Sequence, residues 1–532
     1  MSETESITAR SLTLQEPPLS RDQDALQGGE KVDNVSRHPP SDQGHPAGKP
    51  SFAQLVGSRP SRQHDPAFLV AFGKGEDDCL DPKEWPLSKR CRVTLVLAAI
   101  AFVASLGSSI TSPAQEAMAQ DFGTSTQIMI FTSSLYVAGF AFGPSMWAPI
   151  SELLGRRISL APPLFCLGLF SIGFATSRNV ASLFICRFFS GFFGAAPVSN
   201  VVAALGDIYK PKPRGVAVSL YSIAVVGGPL LGPLIGAALT EYTWRWTGYL
   251  LAILSFVASG LTVVALPEVY GPVLLHRHAT KLRKTTGEER WWHPHEDIRI
   301  DFKSIVTKHL ARPLLMLTTE PMVTCLCLYA SFVYSLVYMA LQLVALVFAR
   351  NYMYGSVVST LPFLGMFVGV VAVGLPLTLA NQPYYFKMVD MNGGKPVPEA
   401  RLPPVLGGGV LVTAGLFIFA WTGRGDQPWI APTIGLSLLG GGFNSVFQNC
   451  LNYLVDTYGI YAASASSANT ILRSILAACL PFAIEPMFDH LGSAKATSIL
   501  GAFAGAFIPL PIIFIKLGPE LRRRSRMTPK ET

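Results

Sequence analysis

The sequence predicts an all-α membrane protein of twelve transmembrane helices in two six-helix bundles. Three observations lead there: a shortage of charge, a series of apolar segments of membrane-crossing length, and a regular alternation of basic loops between them. Half of the 532 residues are hydrophobic and only 14% are charged, with a mean hydropathy of +0.37. Soluble domains carry nearer a quarter charged residues because water must wet their surface. Here most of the surface is expected to meet lipid. The net charge of +8 does not point to nucleic acid, since no continuous basic face accompanies it. Basic residues beside apolar spans act instead as topology signals and contacts to anionic lipid.

Residues 1–80 are rich in Ser, Gln, Asp, His, Pro and Gly, have few apolar clusters, and contain no signal-peptide core. They are expected to form a disordered cytoplasmic tail. A helix needs about 20 apolar residues to cross the hydrocarbon core. Such stretches fall at 92–114, 128–150, 158–177, 180–206, 216–240 and 245–266. After a polar gap they resume at 321–349, 354–381, 403–422, 430–454, 461–485 and 495–516. The domains expected are thus an N-terminal bundle over 81–266, a central cytoplasmic linker over 267–320, a C-terminal bundle over 321–516, and a basic cytoplasmic tail over 517–532.

The loops test the count. One set carries Arg156 and Arg157, then Lys210, Lys212 and Arg214, the cluster from Arg277 to Arg312, then Lys387, Lys395 and Arg401, and finally Arg522, Arg523, Arg524 and Arg526. The alternate loops carry about one each: Arg178, Arg245, Arg350, Arg424 and Lys495. By the positive-inside rule both termini are then cytoplasmic and the number of spans is even. Two six-span repeats leave a substrate site between them near the midplane. The spans contain almost no His, which disfavours an intramembrane enzyme, so no enzymatic activity is expected. No Gly-x-x-x-x-Gly-Lys-Ser/Thr loop is present, which argues against an ATP-driven pump.

Six of the eight cysteines, Cys166, Cys186, Cys325, Cys327, Cys450 and Cys479, sit in apolar runs, with Cys79 and Cys91 flanking the first span. Apolar packing is expected for them, and neither Cys325/Cys327 nor His293/His295 has the further ligands of a metal site. No metal or cofactor is expected. Val273 to Lys284 reads as an amphipathic helix on the inner leaflet, with Trp291 and Trp292 at the interface.

Six stretches carry a family resemblance. The loop after span two runs from Gly143 to Arg157, with Ala148-Pro149-Ile150-Ser151-Glu152 followed by Gly155-Arg156-Arg157. Span four holds Arg187 ahead of Gly191 and Gly194. Span five reads Gly228-Pro229-Leu-Leu-Gly232-Pro233-Leu-Ile-Gly236, with Trp244-Arg245-Trp246 after it. Asp81-Pro82-Lys-Glu-Trp85-Pro86, Pro267-Glu268-Val-Tyr270-Gly-Pro272 and Ala468-Asn469-Thr470-Ile-Leu-Arg473-Ser474 complete the set. From about residue 80 to the C-terminus the chain resembles the major facilitator superfamily, in its fungal twelve-span drug:proton antiporter branch. Glu152 stands where the general signature has Asp, and Leu153 where it often has Arg. The resemblance implies alternating access, export and proton antiport. It also implies gating or coupling roles for Arg187, Gly228, Gly232, Pro233 and Gly236, while Glu152, Arg156, Arg157, Asp207 and Arg214 suggest a charge network between loops of the N-terminal bundle at the cytoplasmic face and are gating candidates on that ground.

Physical readings stand beside those roles. Gly228, Gly232 and Gly236 lie on one helical face and admit a close neighbour, which serves tight packing as well as gating. Arg187 is a charge inside an apolar span and should face the bundle interior, either in a coupling role or bonded to backbone carbonyls. Arg473, near mid-membrane with Asn469 one turn away, is either an anchor or a cavity residue. Asn444, Gln448 and Asn452 form a stripe on span ten, and Tyr334, Tyr338 and Gln342 one on span seven. Both suit an amphipathic substrate or interhelical hydrogen bonding. Glu152 is a candidate cap for the amino end of span eleven near Ser464 in an outward-facing state. Glu485 is the best embedded carboxylate for proton coupling, with a capping role as the alternative.

The function expected is secondary active export of hydrophobic or cationic small molecules, such as drugs, polyamines or secondary metabolites, by a monomer in the plasma membrane. Its partners are the substrate, protons and the bilayer. A vacuolar location is the alternative. A nutrient importer and a non-transporting sensor are the rival functions.

Overall fold

The computed structural model describes residues 68–72, 80–297, 311–525 and 527, with the side chains of Pro211, Lys212, Asp297, Ile460 and Arg524 excepted. Most of the tail call over 1–80, Cys79, part of the linker, Arg526 and the last residues of the basic tail lie outside the described residues. All described residues fall within one compact unit, Lys49–Thr532.

Among the described residues, twelve helical passes follow one another. Span one is Leu87–Leu106, and a break at 107–114 leads into a short helix, Gln115–Phe122. Eleven further helices are long and apolar enough to cross a membrane. Spans two to six are Thr126–Leu154, Arg156–Ala175, Val180–Ile208, Pro213–Thr240 and Arg245–Ala265. Spans seven to twelve are Pro321–Asn351, Val358–Met391, Pro398–Thr422, Ile430–Tyr458, Ala462–Leu491 and Ser493–Arg523. Span one misses that apolar threshold because Lys89, Arg90 and Arg92 fill its first turns. Span eight contains a π-helical turn at Val370–Gly374, and span eleven is broken by a 3-10 turn at Leu480–Ala483.

The packing repeats with a shift of six. Span one packs on span five, two on four, three on four and three on six; correspondingly seven packs on eleven, eight on ten, nine on ten and nine on twelve. Between the halves, span two meets span eleven and span eight meets span five, again a pair related by the same shift. This is the architecture of two bundles joined about a pseudo-twofold axis. Small residues permit the closest approaches. A Cβ on Gly191 of span four would lie 1.9 Å from the Tyr136 carbonyl oxygen of span two, and one on Gly440 of span ten would lie 2.2 Å from that of Met366 on span eight. The outer faces expose Leu95, Val257, Val264, Trp421 and Phe503, apolar side chains that water would disfavour and lipid accepts.

The linker begins as the expected amphipathic helix, Gly271–Thr286, which buries Val273, Leu275 and Ala279. Trp291 and Trp292 are not left free at the interface. Val70 N donates to the Trp292 carbonyl at 3.1 Å and Trp292 N to that of Phe68 at 3.2 Å, while the Trp291 ring meets Phe68 edge-on at 5.4 Å. Residues 68–72, inside the segment expected to be featureless, are therefore tied to the linker. Among the described residues no group of His, Cys, Asp or Glu is placed to hold a metal ion.

Candidate transport site and its gates

Midway along the spans, side chains from both halves meet. The Tyr334 hydroxyl lies 3.2 Å from that of Tyr338, one turn on, and the Tyr338 hydroxyl donates to Ser108 Oγ of span one at 3.0 Å. Two turns beyond Tyr334, Gln342 Nε2 donates to Gln115 Oε1 at 2.8 Å. From span five, Ser222 Oγ lies 3.2 Å from Gln448 Oε1 and 3.5 Å from Asn444 Oδ1. The span-seven and span-ten stripes therefore do make interhelical hydrogen bonds, and these bonds run across the seam between the halves. Asn452 is half-buried one turn beyond Gln448. Phe443 and Phe447 stack on each other and flank Tyr334 at 6.0 and 5.6 Å. Arg473 of span eleven lays its guanidinium over Tyr334 at 4.5 Å and over Phe447 at 5.0 Å.

Arg187 has a different environment. It is 1% exposed and donates Nε to the Thr132 carbonyl at 2.7 Å, and Nη2 to the Gly107 carbonyl at 2.7 Å and to Thr111 Oγ1 at 3.1 Å. Its planar face lies over Tyr136 and Phe174. Span one breaks at Gly107, and the arginine takes up a carbonyl there. These contacts all lie within the N-terminal half and tie spans one, two and four together, which is the structural reading of this residue.

At the end where span two stops, Gly155 has φ +97° and Arg156 opens span three. The Arg156 guanidinium pairs with Asp207 of span four at 2.8 Å and donates to Ser151 Oγ at 2.7 Å. Its backbone N–H donates to Glu268 Oε1 at 2.8 Å, and the Arg157 N–H to Glu268 Oε2 at 3.4 Å. The same carboxylate accepts from the N–H groups of Val269 and Tyr270 at 3.1 and 3.0 Å. Glu268 thus caps span three from the end of span six. Arg157 Nη2 donates to the Val263 carbonyl. The Arg214 guanidinium lies against Gly206, where a Cβ would approach it to 3.1 Å. Glu152, half-buried, lies in the field of Arg156 and Asp207. Span eleven begins at Ala462, and among the described residues no hydrogen bond or ion pair joins Glu152 to that end, so the Glu152 latch is not made in this conformation.

The C-terminal half has its own version of this network. Arg401, in the first turn of span nine, pairs with Asp456 at the end of span ten at 3.0 Å, as Arg156 pairs with Asp207. Tyr385 donates to the same carboxylate at 2.8 Å. Arg522, in the last turn of span twelve, meets Glu399 at 2.7 Å, near the position that Glu268 takes after span six.

The span-five glycines face span one. A Cβ on Gly228 would lie 2.6 Å from Leu106 N, one on Gly232 would lie 2.0 Å from Ser109 Oγ, and one on Gly236 would lie 2.0 Å from the Ile110 carbonyl oxygen. Pro233 is buried between them. Glu485 falls in the short helix Ile484–Leu491, beyond the break in span eleven and away from the central cluster. Sequence reasoning missed Ser108, Gln115, Tyr221, Ser222, Phe447 and the capping role of Glu268. The run Gly107-Ser108-Ser109 inside an apolar span was a usable signal for the first; Ser222 and Tyr221 carried none.

Comparison with known proteins agrees with this geometry. The family model described as Major Facilitator Superfamily matches residues 97–481. This chain belongs to that superfamily. It is similar to the multidrug transporter FLU1 of Candida albicans, 35% identical over 90% of this chain and 78% of that one. It is also similar to the efflux pump bik6 of Gibberella fujikuroi, 36% identical over 86% and 95%, and to the multidrug transporter TPO1_2 of Candida glabrata, 36% identical over 86% and 79%. Among solved structures, the xylose transporter XylE from E. coli, in a partially occluded inward-open conformation, superposes with a TM-score of 0.55 at 15% identity over 80% of this chain and 99% of that one. The human transporter MFSD10 gives 0.52 at 17% identity over 81% and 100%. These two likenesses speak for the fold alone.

Proposed function

We propose that this superfamily member is a secondary active exporter of amphipathic small molecules, drugs or secondary metabolites among them, working by alternating access and proton antiport. The observation that carries the reading is the polar seam of Ser108, Tyr338, Ser222 and Gln448, bordered by Phe443 and Phe447, where two repeated bundles meet. Hydrogen bonds between two halves that each hold together internally can exchange for substrate contacts as the halves rock. The kinship with proteins named multidrug transporter and efflux pump over most of the chain supports export. The excess of Lys and Arg at the Arg156 end supports a cytoplasmic assignment for that end and for both termini. On that assignment, Gln115–Gln342 and the Phe131–Phe482 ring contact at 4.6 Å close the outer side. The conformation is then closed to the outside. The plasma membrane is the location proposed, and the monomer the working unit.

Reconstituted vesicles under an imposed pH gradient test this. Uphill movement of a fluorescent amphipathic drug against the proton flow is the expected result. A nutrient importer would accumulate its cargo in the opposite sense. Binding without flux would identify a sensor and overturn the proposal.

A further inference from the structure

We infer that the central site takes an organic anion: Arg473 is the counter-charge for a carboxylate or comparably acidic oxygen carried on an aromatic or apolar body. This rests on the exporter reading and specifies its cargo. Arg473 is 6% exposed, yet among the described residues it makes neither a hydrogen bond nor an ion pair. Its Nε is buried without a partner. Its polar contacts are the two ring faces of Tyr334 and Phe447. One turn earlier on the same helix, Asn469 is 1% exposed with Oδ1 unpartnered, and Ser474, 1% exposed, has an unpartnered Oγ.

The contrast with Arg187 decides what this means. That guanidinium is equally deep, and the fold gives it two carbonyls and a hydroxyl, as a structural arginine requires. Arg473 receives none of these. A buried charge without a partner is unfavourable, and cation–π contact offsets only part of the loss. The five N–H donors of a guanidinium suit a carboxylate in bidentate fashion, and a ligand is the partner this arrangement lacks.

The charges of the surrounding helices agree. Span seven faces Arg473 with Tyr334 and Tyr338, span ten with Phe447, and span five contributes Tyr221, whose hydroxyl is engaged by the Val198 carbonyl at 2.7 Å. The carboxylates of the neighbouring spans are at their ends. Asp121 is held by Trp244 and Arg245, Glu152 and Asp207 stand beside Arg156, Asp456 is on Arg401, and Glu116 and Glu241 occupy terminal turns at the Arg245 end. A cation entering the centre would meet a fixed positive charge and rings already covered by it. The sequence expectation of a cationic or polyamine cargo is therefore opposed by the site itself, whereas the carboxylate of an aromatic acid would meet Arg473 and its ring would meet Phe443, which Arg473 does not cover.

The test uses the purified full chain and three probes of one shape: 2-naphthoate, methyl 2-naphthoate and 2-naphthylmethylamine, with spermidine as a fourth. Binding at pH 7.5 should favour naphthoate over its ester and the amine by about tenfold or more, and spermidine should not compete. Arg473→Gln should abolish the preference for acid over ester, and Arg473→Lys should keep part of it because the charge remains while the bidentate geometry is lost. Removing an unpaired buried charge should also leave the ligand-free melting temperature of Arg473→Met equal to or above that of wild type. Equal binding of acid and ester by the wild type, an acid preference that survives in Arg473→Gln, or a fall of more than about 5 °C in Arg473→Met would each overturn the inference; the last would mark a structural anchor. Efflux of 2-naphthoate from vesicles carrying the wild-type chain reads the exporter assignment separately. Selective naphthoate binding without that efflux sinks the assignment and leaves the anion site standing.

Discussion

Glu268 offers the sharpest test of how the Arg156 end is held. The carboxylate is 6% exposed and accepts four backbone N–H groups: those of Arg156 and Arg157 at the start of span three, and those of Val269 and Tyr270 beside it. A helix N-terminus leaves its first N–H groups without intrahelical acceptors and carries partial positive charge. Glu268→Ala removes both the acceptor and the compensating charge. Losing a cap costs about 1 kcal/mol, and each hydrogen bond to a charged group is worth about 1.5–3 kcal/mol. Taking the short bond to Arg156 as the main loss, and the others as shared with water that enters the space, the cost is about 3 kcal/mol. For a unit the size of one six-helix half this corresponds to a fall in melting temperature of about 6–12 °C. Glu268→Gln keeps one carbonyl acceptor and should lose about half as much. The assay is thermal unfolding of the detergent-solubilised chain by static light scattering, with flux in vesicles measured below the transition. Since Glu268 fixes where Arg156 begins its helix, flux should fall in the same order as stability. An alanine variant that melts within about 1 °C of wild type, or a glutamine variant less stable than the alanine one, would refute the capping argument.

Further outcomes are expected elsewhere. Gly236→Ala brings a methyl group to 2.0 Å from the rigid Ile110 carbonyl and should force spans one and five apart, abolishing transport, whereas Gly260→Ala, with nothing within 4 Å, should transport normally; flux through the two variants checks this. Arg187→Lys keeps the charge but cannot reach Thr132, Gly107 and Thr111 together, so it should reduce the monodisperse fraction in size-exclusion chromatography and not merely uncouple protons. In the linker, burial pushes His293 down to about 4 and pushes His295 down as well, against the raising effect of its bond to the Leu153 carbonyl at 2.9 Å. An undocked linker takes up protons near pH 6.5 that the docked one refuses, with His276 and Arg283 adding positive charge and Glu296 opposing it. Docking is therefore complete above about pH 6.5 and weakens as pH falls toward 4. Hydrogen exchange over 271–297, corrected for the intrinsic rate, should rise between pH 7.5 and 5.5, and His293→Asn should flatten that rise.

Much of the fold was legible because the bilayer imposes a length and a composition on every span. The predicted ends of spans three, four, six and seven lie within about two residues of those observed, and the basic loops implied an even count before any packing was known. Span one was the least well bounded: its break at Gly107 follows from the kinked backbone that receives Arg187 and from Ser109 and Ile110 lying against the span-five glycines. Those partners are carbonyl oxygens and glycine surfaces, which carry no side-chain signature in a sequence. The stripes on spans seven and ten could be read from spacing alone, but their alignment across the seam could not.

The sequence by itself determined that this chain crosses the membrane twelve times in two sixes and which loops carry the positive charge, because desolvation of the backbone and the length of a helix act locally. It also marked Arg187 and Arg473 as costly charges inside apolar spans. Only the tertiary structure distinguished them. The partners that satisfy the first come from segments 55 and 80 residues away, and the want of a hydrogen-bond partner for the second among the described residues is a property of everything packed around it.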